Sequence, residues 1–315
     1  MDPLAGVELP VVQAGMGGGI ARHDLAAAVS EAGGLGTIGH AEPAAVEREL
    51  AAARALTGRP LAVNVLLPFA RAGHWDVAGR ADVVVTFWGA PERRTGGAWL
   101  HQCGSVEEAL AARVAGADGV IVQGEEAGGH VRGRVGALDL LERARGALPA
   151  GYPILLAGGI ADAGDVRAAL DAGALAAVCG TRFVLAEESR AHPEYRRRLV
   201  AGSETLLTEL FGLGWPAAPH RVLPNRATDR WAGAASAVGA VNRVASPVVK
   251  RLPERAQRAA LGRGDPRVPL LAPAPPTDDG PASLVESGPL YAGTTVARIS
   301  DVRPAAEIVV ALVSG

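Results

Sequence analysis

The chain has 315 residues, enough for one large α/β domain or for a barrel of roughly 250 residues that carries an insertion. Its 31 Lys and Arg residues nearly balance its 33 Asp and Glu residues, and this balance excludes the strong field that favours nucleic acid. No run approaches the ~18 uncharged apolar residues of a membrane span, and residues 1–10 lack the pattern of a signal peptide. We therefore expect a cytoplasmic protein.

The cysteine count agrees with that location. Cys103 and Cys179 each end an apolar, strand-like run, and two cysteines are too few for a disulfide framework. Neither cysteine has the spacing of a metal ligand, so we expect no metal site.

The first predicted strand, residues 9–14, breaks into a glycine-rich turn at 15–19. Such turns often surround phosphates or cofactors, but no acidic residue follows the second strand at the spacing of a dinucleotide-binding fingerprint. The next predicted elements are helices at 25–32 and 43–56 and strands at 35–38 and 61–65. Asn64 lies near the carboxyl end of the third strand and is a candidate ligand-contacting residue.

The connection after the fourth strand, residues 82–86, is unusual. The aromatic residues Phe87 and Trp88 follow that strand, with packing as the favoured role and pocket lining as the alternative. Residues 92–97 leave no room for a helix, so the crossover to the fifth strand at 99–102 is short for a parallel unit.

The sixth strand leads into the strongest candidate site. Residues 119–122 are uncharged, as in a strand buried on both faces, and Gln123 is the first polar side chain at its carboxyl end. Two glycines, 128–129, allow backbone to approach a flat or anionic ligand closely, while His130 presents an imidazole. The alternative is a loop histidine whose hydrogen bonds are satisfied, and this stretch alone does not choose between the two.

The seventh and eighth strands, residues 153–156 and 174–178, are each followed by a glycine turn. Eight strands that alternate with helices favour a TIM (β/α)8 barrel over an open sheet, with the site at the carboxyl ends of the strands. Backbone amides in these two turns occupy the usual phosphate position of such barrels, and plain tight turns are the alternative.

The pattern changes beyond the eighth strand. We expect the barrel to comprise residues 1–187 and 285–315, closed by a last helix at 304–313. Residues 188–284 are predicted to form a smaller, mainly helical insertion. Within that insertion we predict helices at 193–210 and 230–263, a loop at 215–225, and a proline-rich connection at 263–288 that covers the site.

Several of these motifs together resemble the nitronate monooxygenase family, formerly called 2-nitropropane dioxygenases. The motifs are Gln13-Ala-Gly-Met16, Asn64, Gln123-Gly-Glu-Glu-Ala-Gly-Gly-His130, Ala157-Gly-Gly-Ile160, Gly180-Thr-Arg-Phe183, Arg221-Val-Leu-Pro-Asn225 and Leu290-Tyr-Ala-Gly293. The element that ends in His130 is specific for this flavin superfamily but not for one reaction in it. Flavin-dependent enoyl-acyl-carrier-protein reductases carry nearly the same element.

The resemblance implies a barrel that binds FMN non-covalently over the strand ends. By this resemblance the cofactor-binding residues are Gly15, Met16, Asn64, Gln123, Gly128, Gly159, Val178, Cys179, Gly180 and Thr181, with the last two turns at the phosphate. His130 matches the catalytic histidine of the family.

The implied reaction is the oxidation of alkyl nitronates, nitroalkanes or a related acidic carbon substrate by O2, giving a carbonyl compound and nitrite. A histidine of ordinary pKa ~6.5 suits a general base for a neutral nitroalkane, whereas with a preformed nitronate it serves as an electrostatic partner. The alternatives are an FMN-dependent enoyl-thioester reductase using NAD(P)H, although no nucleotide signature supports it, and a flavin-free barrel isomerase or binding protein. The expected partners are a small-molecule substrate and O2, without nucleic acid or membrane. The oligomeric state stays open, a homodimer included.

Three features depart from the family pattern. Gly15 replaces the proline of the usual Gln-x-Pro-Met turn, which loosens the loop beside the flavin ring. Residues 87–98 lack the expected fourth helix, so an opened or remodelled barrel is an alternative to a closed one there. The fifth strand ends in the bulky, polar residues 101–103, which favour a different substrate.

Overall fold

The computed structural model describes residues 1–251 and 265–314 and divides into two compact units. The barrel unit comprises Met1–Ala127, Arg132–Ser189 and Val302–Gly315. The second unit comprises Gly128–Val131 and Arg190–Asp301. The predicted barrel segment at 285–315 therefore differs from the structure, in which the chain rejoins the barrel unit at Val302.

The elements of the described residues follow in chain order. The strands are β1 (Val11–Gln13), β2 (Gly36–Ile38), β3 (Leu61–Leu66), β4 (Val83–Phe87), β5 (Ala98–Cys103), β6 (Gly119–Gln123), β7 (Gly129–His130), β8 (Ile154–Ala157), β9 (Ala177–Cys179), β10 (Leu206–Thr208), β11 (His220–Leu223) and β12 (Leu290–Tyr291). The helices are α1 (His23–Glu31), α2 (Pro43–Leu56), α3 (Ala72–Ala78), α4 (Val106–Val114), α5 (Ala137–Ala147), α6 (Ala163–Asp171), α7 (Thr181–Val184), α8 (Pro193–Ala201), α9 (Arg226–Trp231), α10 (Ala235–Arg251), α11 (Leu284–Ser287) and α12 (Ala305–Val313). Within residues 1–251 and 265–314, no helix has the length and apolar character needed to span a membrane.

Eight parallel strands form a nearly closed barrel, which confirms the predicted (β/α)8 class. The strand order is β1-β9-β8-β6-β5-β4-β3-β2. The two end strands meet through a bridge between Val12 and Leu35, where the Gln13 amide donates to the Leu35 carbonyl at 2.9 Å. Because parallel strands point the same way, all eight carboxyl ends lie at one edge of the barrel.

The helices of the barrel unit begin where the sequence places helix-starting residues. Pro43 occupies the first turn of α2, where its missing N–H has no helical partner to lose. The Ser105 hydroxyl accepts from the Glu108 amide at the start of α4. The Asp162 carboxylate accepts from the Gly164 amide at 2.9 Å at the start of α6, as predicted.

The side chains of the barrel strands alternate between two apolar layers. An interior cluster includes Ala62, Leu100 and Ile121, whereas an outer cluster joins strand residues such as Trp99 to the surrounding helices. The last helix, α12, adds Ile308 to this outer cluster, as predicted for the helix that closes the barrel. Full burial of one such side chain stabilises the fold by about 1.5–3 kcal/mol.

The barrel is not open at the short crossover between β4 and β5. No helix lies between them, as predicted, yet the two strands pair in parallel from Val83 opposite Ala98 to Phe87 opposite Gln102. Arg93 fixes the connection by donating to the Gly116 carbonyl at 3.0 Å and to the Asp118 carboxylate at 2.7 Å. The alternative of a barrel opened at this crossover is therefore excluded, because backbone pairing continues without a crossover helix.

The second unit contains a sheet as well as helices, which corrects the prediction of a mainly helical insertion. Strand β11 pairs antiparallel with β10, β12 and β7. The helix predicted over 193–210 ends at Ala201, and the loop predicted over 215–225 contains β11. These strands are two to four residues long, too short for alternation to distinguish them from loop or helix.

The remaining predictions for this unit fall partly outside the described residues. The helix predicted over 230–263 appears as α9 and α10 up to Arg251, and residues 252–264 lie outside the description. The proline-rich segment 263–288 includes α11 near its end. Its predicted role as a cover for the site stays a prediction.

Substitution of Asp118 tests how far a partly buried carboxylate stabilises the barrel unit. Burial raises the pKa of Asp118, but hydrogen bonds from Arg93, from the amino group of Met1 and from the Trp99 amide outweigh it and hold the pKa below its usual value. Such a carboxylate stabilises the fold above its unfolded-state pKa of ~3.9, and the contribution is lost as the pH falls through the lower, folded-state pKa. We expect Asp118→Asn to lower the free energy of unfolding by about 1–3 kcal/mol at pH 7 and by less at pH 3.

Urea unfolding at the two pH values measures this difference. The control is Asp139→Asn, which removes an exposed i,i+4 pair with Arg143 and should change stability by about 0.5 kcal/mol or less. An equal loss for Asp118→Asn at pH 7 and pH 3 would contradict the ionic origin of the effect.

Candidate functional site

Two amide side chains lie at the carboxyl edge of the barrel, inside the ring of strands. Asn64 lies two residues beyond Ala62 on β3, and Gln123 lies two residues beyond Ile121 on β6. Residues two apart share a face of a strand, so both amides continue the interior layer. The predicted cofactor residues Asn64 and Gln123 are therefore placed on the face that a ligand over the barrel would meet.

The Asn64 amide is only half satisfied. Its Nδ2 donates to the Val85 carbonyl at 3.3 Å, but its Oδ1 is buried and has no hydrogen-bond partner among the described residues. The side chain is 4% exposed. Because an unpaired buried acceptor costs roughly 1–3 kcal/mol, this oxygen is suited to a donor that a ligand supplies.

The turn after β1 lies against Asn64. A side chain added to Gly15 would place its Cβ 2.4 Å from the Asn64 Cβ, so the Asn64 contact explains why glycine occupies this position. The Met16 amide donates to the Ala14 carbonyl at 2.8 Å, and Met16 packs against the outer core cluster. The structure thus brings Gly15 and Asn64 together.

The predicted phosphate turns lie on neighbouring strands. Ala157 at the end of β8 is opposite both Gln123 on β6 and Val178 on β9. Gly158 and Gly159 then adopt φ angles of +109° and +76°, a region that favours glycine.

The turn after β9 completes this edge of the barrel. The Cys179 carbonyl accepts from the Ala14 amide at 2.9 Å, which ties the end of β9 to the turn after β1. Gly180 precedes α7, and Thr181 is the first residue of that helix. The Cys179 thiol is buried in the outer cluster, and burial raises its pKa, so only the backbone of Cys179 is available to a ligand here.

Two of the three polar residues at the end of β5 do not line the interior. Trp99, His101 and Cys103 share the outer face, and Gln102 alone shares the face of Leu100. The side chain of His101 hydrogen-bonds to the Thr86 hydroxyl at 2.7 Å. Burial, with the nearby Arg132 charge, lowers the pKa of His101 to about 4. The predicted pocket role of His101 and Cys103 was wrong, because side chains alternate along the strand.

His130 and Gly128 belong to the second unit, whereas the other nine predicted site residues belong to the barrel unit. A Cβ on Gly128 would lie 2.6 Å from the Ala292 carbonyl carbon. This close backbone approach gives Gly128 a packing role within the second unit.

His130 is held in an aromatic environment within the second unit. In the β7–β11 pair it lies opposite His220, and its ring stacks on Trp215 with centroids 3.9 Å apart and planes at 20°. The rings of His220 and Tyr291 lie 5.2 and 5.6 Å away. Burial, with a smaller contribution from His220, lowers the pKa of His130 well below its usual value. The imidazole is therefore neutral near pH 7.

His220 is also neutral and is fixed in one tautomer. Its Nδ1 donates to the Ala218 carbonyl at 2.8 Å, and its Nε2 accepts from the Phe211 amide at 3.3 Å. Burial lowers the pKa of His220 to about 4. A neutral neighbour adds little repulsion if His130 accepts a proton.

Sequence reasoning missed Trp215 and His220 as neighbours of His130. Trp215 lies in a segment without periodic pattern, and His220 becomes recognisable only through its pairing with β7, ninety residues earlier. The motif 221–225 was noticed, and its Asn225 has a structural role: it caps α9 and donates to the Val285 and Gly288 carbonyls.

Comparison with known proteins identifies the family of the chain. The profile of the family described as Nitronate monooxygenase matches residues 1–92 and 80–315. The chain belongs to the nitronate monooxygenase family. A nitronate monooxygenase of Pseudomonas aeruginosa is 33% identical over 324 residues, which cover 83% of this chain and 89% of that protein.

Two solved structures extend the likeness over nearly the whole chain. A nitroalkane oxidase from Streptomyces ansochromogenes is 30% identical with a TM-score of 0.77, covering 99% of this chain and 96% of that one. FabK from Thermotoga maritima is 27% identical with a TM-score of 0.76, covering 98% and 92%. Both structures resemble the chain over more than nine tenths of its length, and their names state different functions.

The stack on Trp215 generates a prediction about the titration of His130. We expect Trp215→Ala to expose the imidazole and to raise the pKa of His130 towards the ordinary ~6.5. Burial destabilises the charged imidazolium, and this variant reduces the burial. Proton NMR of the imidazole across pH 4–8 measures this pKa. Trp231→Ala is the control, since Trp231 lies in the same unit and donates to Pro266 rather than packing on His130. An unchanged His130 pKa in the Trp215 variant would show that other groups bury the ring.

Proposed function

We propose that this protein is an FMN-dependent oxidoreductase that oxidises alkyl nitronates, nitroalkanes or a related acidic carbon substrate with O2 to a carbonyl compound and nitrite. The observation that carries the proposal is the neutral imidazole of His130, held against Trp215 in a member of the nitronate monooxygenase family. The similarity to a nitroalkane oxidase supports the same reaction class. We also propose a cytoplasmic location, supported by two buried free thiols, and a homodimer stays a prediction.

The residues of the barrel edge fit a flavin. The unpaired Asn64 Oδ1 offers an acceptor for a ring N–H, and the missing side chain at Gly15 keeps the turn beside it close. The backbone after β8 and β9, from Gly159 and from Val178 to Thr181, offers amides to a phosphate without side-chain charge. We propose that these residues, with Met16, Gln123 and Gly128, hold FMN.

The role of His130 follows from its protonation state. A neutral imidazole accepts a proton from the carbon next to a nitro group, and this transfer creates an imidazolium and a nitronate anion together. Burial disfavours an isolated imidazolium, but the adjacent nitronate charge compensates it. His130 is thus suited to deprotonate a neutral nitroalkane and to hold the resulting anion in place.

FMN held by these residues would supply the electron-transfer chemistry between the nitronate and O2. The chain's own contribution is to orient the substrate carbon, to hold the proton on His130 and to exclude water. Trp215 contributes to the last of these by covering one face of the imidazole.

The alternative is an enoyl-thioester reductase that uses NAD(P)H. The similarity to FabK is the observation that favours it, at lower identity than the nitroalkane oxidase. The glycine turns lack the dinucleotide-binding fingerprint that would support the use of NAD(P)H. Mixing the oxidised protein anaerobically with a nitronate or with NADPH separates the two functions, because only the true electron donor should bleach the flavin absorbance.

The cofactor is the first testable part of this proposal. We expect the purified protein to be yellow and to release FMN on denaturation, and Asn64→Leu to weaken FMN binding at least tenfold because the ring loses its acceptor. Flavin fluorescence during titration measures the dissociation constant. Asn242→Leu is the matched control: it replaces another buried asparagine with an unpaired Oδ1 in the described residues, but in the second unit. A colourless protein that FMN does not reconstitute would overturn the flavin proposal.

The base role of His130 is tested with two forms of one substrate. We expect His130→Asn to retain FMN and to lower kcat/KM for a neutral nitroalkane by about 10²–10⁴-fold, the usual contribution of a general base, with a smaller loss for the preformed nitronate. Because the pKa of His130 is lowered, the acid limb of the nitroalkane profile should lie below pH 6.5. His23→Asn removes a histidine paired with Glu49 and should leave both rates unchanged. Equal losses on both substrates would remove His130 from the base role.

A further inference from the structure

The short crossover after β4 helps to form a cavity that is lined by none of the residues proposed above to bind FMN or to act as the base. Its volume is about 490 Å³, within the range of small-molecule sites, and it lies entirely within the barrel unit. Its walls include two tryptophans, Trp75 and Trp88, two arginines, Arg71 and Arg94, and the carboxylate of Glu92. We call it the tryptophan–arginine cavity.

The walls come from the segments that follow two adjacent barrel strands. Leu67 and Arg71 follow β3, whereas Trp88 and Arg94 lie in the helix-free connection after β4. Because no helix follows β4, the extended connection lines the cavity together with Trp75 of α3.

Trp88 is fixed in an unusual backbone conformation. Its φ of +66° lies in the left-handed region, which a bulky residue rarely adopts. Arg132 lies over its ring at 5.1 Å, and Phe87 packs edge-on at 5.4 Å. Strain of this kind persists where the surroundings fix it and is concentrated at binding sites. The half-buried indole is thus held in place beside the cavity.

The ion pairs of both cavity arginines are exposed and weak, and the Arg94 guanidinium also lies over the Trp75 ring, 5.7 Å from its centroid. Arg94 pairs with Glu92 at 2.5 Å, and Arg71 pairs with Glu42 at 3.5 Å. All four side chains are roughly half exposed or more, and such pairs contribute little to stability. The guanidinium groups can therefore exchange these carboxylates for the anion of a ligand.

We propose that the tryptophan–arginine cavity binds a planar aromatic group that carries a phosphate or carboxylate. Trp75 and Trp88 supply aromatic surface, with Arg94 over the Trp75 ring at 5.7 Å and Arg132 over the Trp88 ring at 5.1 Å. The guanidinium forks of Arg71 and Arg94 match phosphate and carboxylate geometry. Two sources of this chemistry are a nucleotide and an aryl carboxylate. The inference goes beyond the proposed oxidation and does not depend on it.

The test is calorimetric titration of FMN-saturated protein, so that no probe enters the flavin site. The probes are adenosine 5′-monophosphate and 2-naphthoate, compared with adenosine, which lacks the anion, and inorganic phosphate, which lacks the ring. We expect 1:1 binding of at least one charged aromatic probe, at least tenfold tighter than adenosine or phosphate. Binding of the nucleotide alone identifies a nucleotide site, and binding of naphthoate alone identifies an aryl-carboxylate site.

Variants connect that binding to the cavity. We expect Arg94→Gln and Trp88→Leu each to weaken the bound probe at least tenfold, with Trp75→Leu replacing the latter if Trp88→Leu does not fold. Arg80→Gln is the control, because Arg80 forms a similar exposed pair with Glu47 and does not line the cavity. Absence of binding by both charged probes, or affinities that the cavity variants leave unchanged, overturns the proposal. If the protein binds no flavin, the same titration without FMN and the same variants still test whether the tryptophan–arginine cavity binds the charged aromatic probes.

Discussion

The alternation of side chains along the eight parallel strands is the constraint on which the rest of the barrel unit depends. Residues two apart share a face, so the apolar interior that contains Ala62 and Ile121 ends, one step further, in the amides of Asn64 and Gln123. A shift of one residue in register would turn both amides into the outer layer. The polar edge is therefore a consequence of strand register, and register is fixed by burial on both faces of the sheet.

The same alternation separates residues that serve stability from residues that face a ligand. On β5 it directs His101 and Trp99 to a common partner, the Thr86 hydroxyl, which accepts from the Trp99 indole at 2.8 Å. These polar groups satisfy one another inside the outer layer. Asn64 Oδ1 remains unsatisfied, at a cost of about 1–3 kcal/mol, because its face meets no further protein donor. The satisfied groups of β5 support the fold, whereas the Asn64 oxygen at the interior strand end is available to a donor from a ligand.

The sequence predicted features that depend on local residue patterns and missed features that depend on pairing between segments far apart in the chain. Helix starts such as Ser105 and Asp162, the strand ends at Asn64 and Gln123, and the missing helix at 87–98 are local patterns, and the structure has them where expected. The short strands of the second unit are not local, because β7 and β12 are two residues each and acquire their conformation from pairing with β11. Trp215 was unpredictable for the same reason: its role depends on a ring brought beside it by that pairing.

The lowered pKa of His130 limits the kind of chemistry it can support. Burial makes the imidazolium less favourable than it is in water, so His130 is a poor resting cation and a poor acceptor for an isolated proton. The disadvantage disappears when the proton donor becomes an anion that stays beside the ring, since the pair is then neutral as a whole. Deprotonation of a carbon acid with a retained anion meets this condition. The stacking of His130 on Trp215 therefore favours a carbon acid over a substrate that leaves the imidazolium without a partner.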